Sequence, residues 1–146
     1  MNRCTFAYGS NMWREQMRKR CPQSRLLGPA QLHGYRWIIN IRGYANIVAD
    51  VQGRVMGLVY AISATDEAAL DQFEGVAQGR YRKALLEVRQ GEERITALVY
   101  IDPLTVEGQP QPEYIHRINA AIGDAQLPEE YVATVIRRFV PEQPPQ

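Results

Sequence analysis

The chain of 146 residues carries 17 Lys and Arg against 16 Asp and Glu, a formal net charge of +1, with 45% hydrophobic residues. That balance creates no field that would gather nucleic acid or an anionic membrane, and the length suits one domain with a core of its own. Two cysteines, Cys4 and Cys21, and two histidines, His33 and His116, match neither a disulfide framework nor a metal-ligand spacing, so neither metal nor other cofactor is expected.

Residues 4–8 read as a short strand that stops at Gly9-Ser10-Asn11, after which 12–20 form a helix capped by Ser10 or Asn11. Cys21-Pro22 ends it. Strands then follow at 35–41, 45–50 and 54–62, separated by Gly43 and Gly53. The near-continuous apolar run 55–62 predicts a central strand covered on both faces, and it is far too short to span a bilayer. Polar residues from Tyr8 onward break up any N-terminal apolar segment, so a reduced, cytoplasmic protein is the expectation.

Ser63 or Thr65 caps a helix running to Phe73, which places Glu74 at its C-terminus and Gly75 just beyond. Strands at 81–89 and 94–101 are joined by Gln90-Gly91-Glu92 as a hairpin, residues 102–111 form a loop, and amphipathic helices at 112–122 and 128–139 pack on the sheet. The fold class predicted is α+β: a mixed, mainly antiparallel sheet curled toward a small barrel with flanking helices, one domain over 1–140 and a fraying polar tail at 141–146.

Phosphate-binding glycine motifs, H-E-x-x-H, C-x-x-C and G-x-S-x-G are all missing, so nucleotide, metal and serine-hydrolase chemistry find no support. The string Phe6-Ala7-Tyr8-Gly9-Ser10-Asn11-Met12 offers a glycine for close approach and a helix start with unpaired N–H groups, which suit a carboxylate. Taken alone it also reads as a capped turn with no ligand. Together with Leu70-Asp71-Gln72-Phe73-Glu74-Gly75-Val76, Gly79-Arg80-Tyr81, Gly53-Arg54-Val55-Met56-Gly57-Leu58-Val59-Tyr60 and Leu127-Pro128-Glu129-Glu130-Tyr131, it resembles the γ-glutamylcyclotransferase family in both motif and spacing.

That resemblance implies conversion of γ-glutamyl amines to 5-oxoproline and a free amine, with Glu74 as the catalytic acid–base residue. It implies that Tyr8, Gly9, Ser10, Asn11 and Met12 bind the γ-glutamyl unit and that Tyr81, Tyr100 and Tyr114 line the pocket. Tyr100 and Tyr114 also read as ordinary core tyrosines, and Glu74 as a solvated helix-end residue. Asn11-Met12 argues against the glutathione-specific branch, whose loop differs. Met56, where an aromatic is common, and Arg80 and Arg82 around Tyr81 leave the departing amine open.

The implied chemistry needs no enzyme nucleophile, since the substrate's own α-amine closes the ring and the protein supplies orientation and proton transfer. Burial and the helix end raise the Glu74 pKa while the substrate ammonium lowers it, and the sequence leaves the sign open. It also leaves open whether loop N–H groups hold the substrate carboxylate or the oxyanion. The expected partner is a small γ-glutamyl molecule, with the protein a monomer or homodimer. A non-catalytic γ-glutamyl or oxoproline binder and a biosynthetic enzyme that removes a γ-glutamyl protecting group are the alternatives.

Overall fold

In a computed structural model that describes residues 3–143, five strands close into a barrel in the order β1-β3-β2-β4-β5. They are β1 (Arg3–Ala7), β2 (Arg25–Ile39), β3 (Ala45–Ile62), β4 (Arg82–Gln90) and β5 (Glu93–Ile101). Neighbours are antiparallel except β1 and β5, which meet in parallel at Thr5 and Leu98, where the Thr5 hydroxyl donates to the Leu98 carbonyl at 2.9 Å. Closure leaves no long unpaired edge.

The run 55–62 is the central strand segment the sequence predicts: β1 pairs on one side, β2 on the other, and Gly57 to Ile62 are all buried. Gly57 is needed there because a Cβ would meet the Ala7 carbonyl oxygen at 2.2 Å. Two predicted strands, 45–50 and 54–62, are one strand. Opposite Gly34, β3 runs from Ala49 to Arg54, so its extra residues bow outward as a bulge with Val51 at the tip, 97% exposed. The sequence reading also begins β2 at 35, whereas the strand starts at Arg25. Gly28, Pro29 and Gly34 look like breaks, but the register shifts at Leu26/Gly28 and His33/Tyr35 absorb them.

Helix α1 (Arg14–Arg20) follows a 3₁₀ turn over Ser10–Met12, α2 (Ala64–Phe73) follows β3, and α3 (Pro112–Ala125) follows the loop after β5. The last helix, α4 (Glu129–Tyr131), passes at once into a π turn over Val132–Ile136 rather than the regular helix predicted. There the Thr134 hydroxyl donates to the Glu130 carbonyl at 2.8 Å, and the Arg137 N–H reaches the Val132 carbonyl five residues back at 2.9 Å. Tyr114, Ile118, Tyr131 and Ile136 bury both helical segments in the core shared with Phe6, Val55, Val59 and Val99.

Pro141 is anchored, its carbonyl accepting from Asn119 and Arg137 at 3.1 and 3.2 Å. The rest of the expected fraying tail, 144–146, lies outside the described residues. Among the described residues no helix is long and apolar enough to cross a membrane.

Candidate active site

Three local devices bring Glu74 to one end of the barrel. A capping box starts α2, with Asp66 N–H donating to the Ser63 hydroxyl at 3.1 Å and Ser63 N–H to the Asp66 carboxylate at 3.3 Å. Leu70 is buried beneath the helix, and Asp71 accepts from the Tyr100 hydroxyl at 2.8 Å and from Lys83 at 3.0 Å, which clamps α2 to β5 and β4. At the helix end the Glu74 N–H donates to the Leu70 carbonyl at 2.8 Å and Gly75 turns the chain at φ 64°. Only glycine adopts that left-handed geometry at little cost, so the E-G pair marks a real helix end. Arg80 N–H returns to the Gly75 carbonyl at 3.0 Å, closing a turn that sets Arg80 and Tyr81 beside Glu74.

Across the cavity lies the turn after β1. Met12 N–H donates to the Gly9 carbonyl at 3.1 Å and Trp13 N–H to the Ser10 carbonyl at 2.9 Å, while the N–H groups of Gly9 and Asn11 have no acceptor among the described residues. The predicted Ser10 or Asn11 cap is not formed. Trp13 is the N-cap of α1 and its own side chain makes no cap bond; the Asp124 carboxylate accepts from the Arg14 N–H at 2.8 Å instead, while Gln16 Nε2 donates to the Ser10 hydroxyl at 2.8 Å and to Asn11 Oδ1 at 2.9 Å. Arg20 donates to the same Asn11 oxygen at 3.2 Å. Gly9 admits no side chain: a Cβ would meet the Tyr114 hydroxyl at 2.9 Å and the Ala45 Cβ at 3.0 Å.

These groups enclose a cavity of about 200 Å³, on the small side of ligand pockets, which run roughly 300–1,000 Å³. Tyr8, Gly9, Ser10, Asn11, Glu74, Tyr81, Tyr100 and Tyr114 all line it. Met12 does not. Its side chain is buried with Met17, Leu58 and Leu70, so among the predicted loop residues it supports the turn from behind. Met56 and the exposed Arg82 also stand away from the cavity, whereas Arg80 lines it.

The four tyrosines differ in what their hydroxyls do. Tyr8 donates to the Tyr100 carbonyl, Tyr81 to the Ala45 carbonyl at 2.9 Å and Tyr100 to Asp71 at 2.8 Å, so each proton is spent on the fold. Tyr114 instead accepts, from the N–H groups of Ser10 and Ala45, each at 3.4 Å, and no hydrogen bond among the described residues takes its own proton. Burial raises all four above the ordinary tyrosine value, so they are neutral phenols.

Burial also raises the Glu74 pKa; Arg20 opposes this most, then Arg80, then the Asn11 side chain. Sequence reasoning left open the balance against the substrate ammonium; in the free protein desolvation outweighs the neighbouring cations. Arg20 is lowered by its own burial, lies 4.5 Å from the Phe73 ring centroid and lines the cavity with Tyr44, Glu113 and Arg117. Sequence reasoning missed those four. Arg20 looks like an ordinary basic residue in the last turn of a helix, and nothing local ties Tyr44 or Arg117 to Glu74.

Other nucleophiles are poorly disposed. Ser10 has no histidine beside it, as neither histidine lines the cavity, and His116 packs on Trp13 at a centroid distance of 5.4 Å. Burial, reinforced by Asp66, pushes the Cys21 thiol up to about 12, so it packs as a neutral group.

The family described as gamma-glutamyl cyclotransferase, AIG2-like, matches residues 5–117. A γ-glutamylcyclotransferase of Mus musculus is 29% identical over 141 residues, spanning 86% of this chain and 73% of the mouse protein. The Homo sapiens γ-glutamylcyclotransferase is 27% identical over 139 residues, with the same coverage of 86% and 73%. A solved structure named gamma-glutamyl cyclotransferase superposes with a TM-score of 0.84 at 24% identity, covering 100% of this chain and 92% of that one. The barrel and the flanking helices fit the fold of that structure, and with residues 5–117 matched the chain belongs to the γ-glutamyl cyclotransferase, AIG2-like family.

Proposed function

We propose that the protein is a γ-glutamylcyclotransferase in which Glu74 moves the proton and the Gly9 to Asn11 turn holds the γ-glutamyl unit. One observation carries the reading: a carboxyl group with a raised pKa shares a small cavity with unspent N–H donors and the Tyr114 phenol, and no side-chain nucleophile is activated there.

The substrate supplies the nucleophile. Its α-ammonium, with a pKa near ~8, loses a proton to the Glu74 carboxylate; the free amine attacks the γ-carbonyl carbon, and a C–N bond closes the five-membered lactam. The bond to the departing amine then breaks as Glu74 returns the proton to that nitrogen, and the second proton, which the ring nitrogen sheds on becoming the lactam N–H, passes by the same carboxylate to the amine, which leaves as ammonium. Base-then-acid use of one carboxyl is worth roughly 100- to 10,000-fold in rate. Holding the chain folded for attack supplies up to about 7–11 kcal/mol.

Charge builds on the carbonyl oxygen during attack. The Tyr114 hydroxyl, held between two N–H groups with its own proton unspent, is the donor suited to that oxygen. The Gly9 and Asn11 N–H groups, with Arg20 behind Asn11, then suit the substrate α-carboxylate. The reading places the reaction in a reducing cytoplasm, where Cys4 and Cys21 stay free thiols, with a monomer or homodimer acting on a small molecule.

Linkage chemistry tests it. γ-Glutamyl-alanine should give 5-oxoproline and alanine in equal amounts by mass spectrometry, and α-glutamyl-alanine should give neither, because there the amine adjoins the scissile carbonyl and attack would need a three-membered ring. Glutamate released in step with alanine would mean hydrolysis by water and would overturn the mechanism.

A further inference from the structure

We propose that Arg80 reads the leaving group: it receives the carboxylate of the amino acid attached to the γ-glutamyl unit, so the charge of the departing amine is recognised as well as the glutamyl half. This rests on the cyclotransferase reading above. The starting observation is an unmet donor. Arg80 Nε is buried and has no hydrogen-bond partner among the described residues, in a side chain that lines the cavity. A buried charged donor without a partner is costly, and an acceptor that arrives with the substrate relieves that cost.

The guanidinium packs on Tyr44, its carbon 4.9 Å from the ring centroid, and the main chain beneath it is fixed, with the backbone N–H bound to the Gly75 carbonyl at 3.0 Å. A planar fork fixed in this way suits the two oxygens of a carboxylate. The other cavity cations are engaged elsewhere: Arg117 is paired with Glu113 at 2.9 Å, and Arg20 binds Asn11 on the loop assigned to the glutamyl half.

Connectivity selects which carboxylate Arg80 meets. The departing nitrogen must lie at Glu74 to receive its proton, and in an α-amino acid the carboxylate carbon is two bonds from that nitrogen. Arg80 is the cation beside Glu74 on the same turn, close enough to hold down its pKa yet not in an ion pair with it. A substrate carboxylate bound to Arg80 offsets that charge, which strengthens Glu74 as a base when the leaving group is in place.

The test compares γ-glutamyl-alanine with γ-glutamyl-alaninamide, which keeps the shape and removes the charge, in wild type, Arg80→Gln and Arg80→Lys. Wild type should favour the carboxylate substrate in kcat/KM by about 10- to 100-fold, the range of a charged hydrogen bond. Arg80→Gln should bring that ratio close to one, and Arg80→Lys should keep part of it. The ratio cancels the change in Glu74 basicity that the substitution itself makes in the free enzyme, and what remains is the effect of the substrate carboxylate. A ratio retained in Arg80→Gln, with both substrates slowed alike, overturns the proposal and leaves the cyclotransferase standing. No 5-oxoproline from either substrate in wild type removes both.

Discussion

Two cavities among the described residues differ in how far the fold satisfies the polar groups that line them. The second, about 550 Å³ in volume, lies between the β2–β3 bulge and the C-terminal helical segment, against Arg36, Trp37, Arg54, Tyr131 and Arg138. Two of its cations are spent: Arg36 pairs with Glu107 at 2.8 Å and Arg138 pairs with the same carboxylate at 3.2 Å. The smaller cavity keeps Glu74 out of any ion pair, Arg80 Nε without a partner and the Tyr114 proton unspent. Polar groups that the fold does not satisfy mark a site better than volume does, because such groups are expensive to keep for structural reasons alone.

The sharpest way to break that comparison is Glu74→Gln, which should lower kcat by at least about 100-fold, with ligand affinity retained in calorimetry. Stability should move the other way. Because burial raises the folded-state pKa, ionising Glu74 costs the folded chain more than the unfolded one, and stability falls as pH rises from the unfolded value through the folded one. Gln never ionises, so thermal melts at pH 7 should place the variant at or above wild type while melts at pH 4 converge. A variant that loses both activity and stability would make Glu74 structural.

Next in size is Tyr114→Phe, which removes a cavity hydroxyl whose proton the fold leaves unspent; kcat should fall about 100-fold, the loss usual for an oxyanion donor. Tyr81→Phe, measured beside it, should mainly cost stability, because its proton is bound to the Ala45 carbonyl. Gly9→Ala should raise KM by about tenfold, since its Cβ would crowd the Tyr114 hydroxyl and displace the turn. Equal kinetics in Tyr114→Phe and Tyr81→Phe would erase the distinction among the tyrosines.

A smaller effect lies in pH dependence. Glu74 must be ionised to accept a proton, so kcat/KM should rise with pH through its raised pKa and fall as the substrate amine deprotonates near ~8. Arg20 is the largest influence holding that pKa down, and Arg20→Gln should move the acidic limb to higher pH. A limb that stays put would mean that another group sets it.

How much of this was readable in advance follows from what kind of interaction fixes each part. Local signals were legible: the capping residue Ser63, Gly75 after the helix end, the apolar run in β3 and the β4–β5 hairpin all rest on short-range chemistry. The first half of β2 was not, because Gly28, Pro29 and Gly34 are ordinary turn residues unless a partner strand absorbs them as bulges, and β3 does so. In the site, the motifs gave Glu74 and the Tyr8 to Asn11 turn. They gave Met12 the wrong surroundings, because a turn residue's side-chain direction depends on the barrel behind it. The division of labour among the tyrosines and the roles of Arg20 and Arg117 depend on hydrogen bonds between residues far apart in sequence.

The smallest expected effect is the control for the whole comparison. Arg138→Ala removes a cation from the larger cavity without touching the smaller one, and should change kcat/KM for γ-glutamyl-alanine by less than about twofold. Its side chain is 61% exposed and its pairing with Glu107 is shared with Arg36, so the partner carboxylate remains paired after the change. Exposed ion pairs of this kind contribute about 0–1 kcal/mol, so the melting temperature should shift by no more than a few degrees. If cyclisation instead collapsed while the melt stayed intact, the larger cavity would be part of the reaction. Spent charges would then be no guide to where this fold does its chemistry, and the assignment of Glu74 would have to stand on its own variant alone.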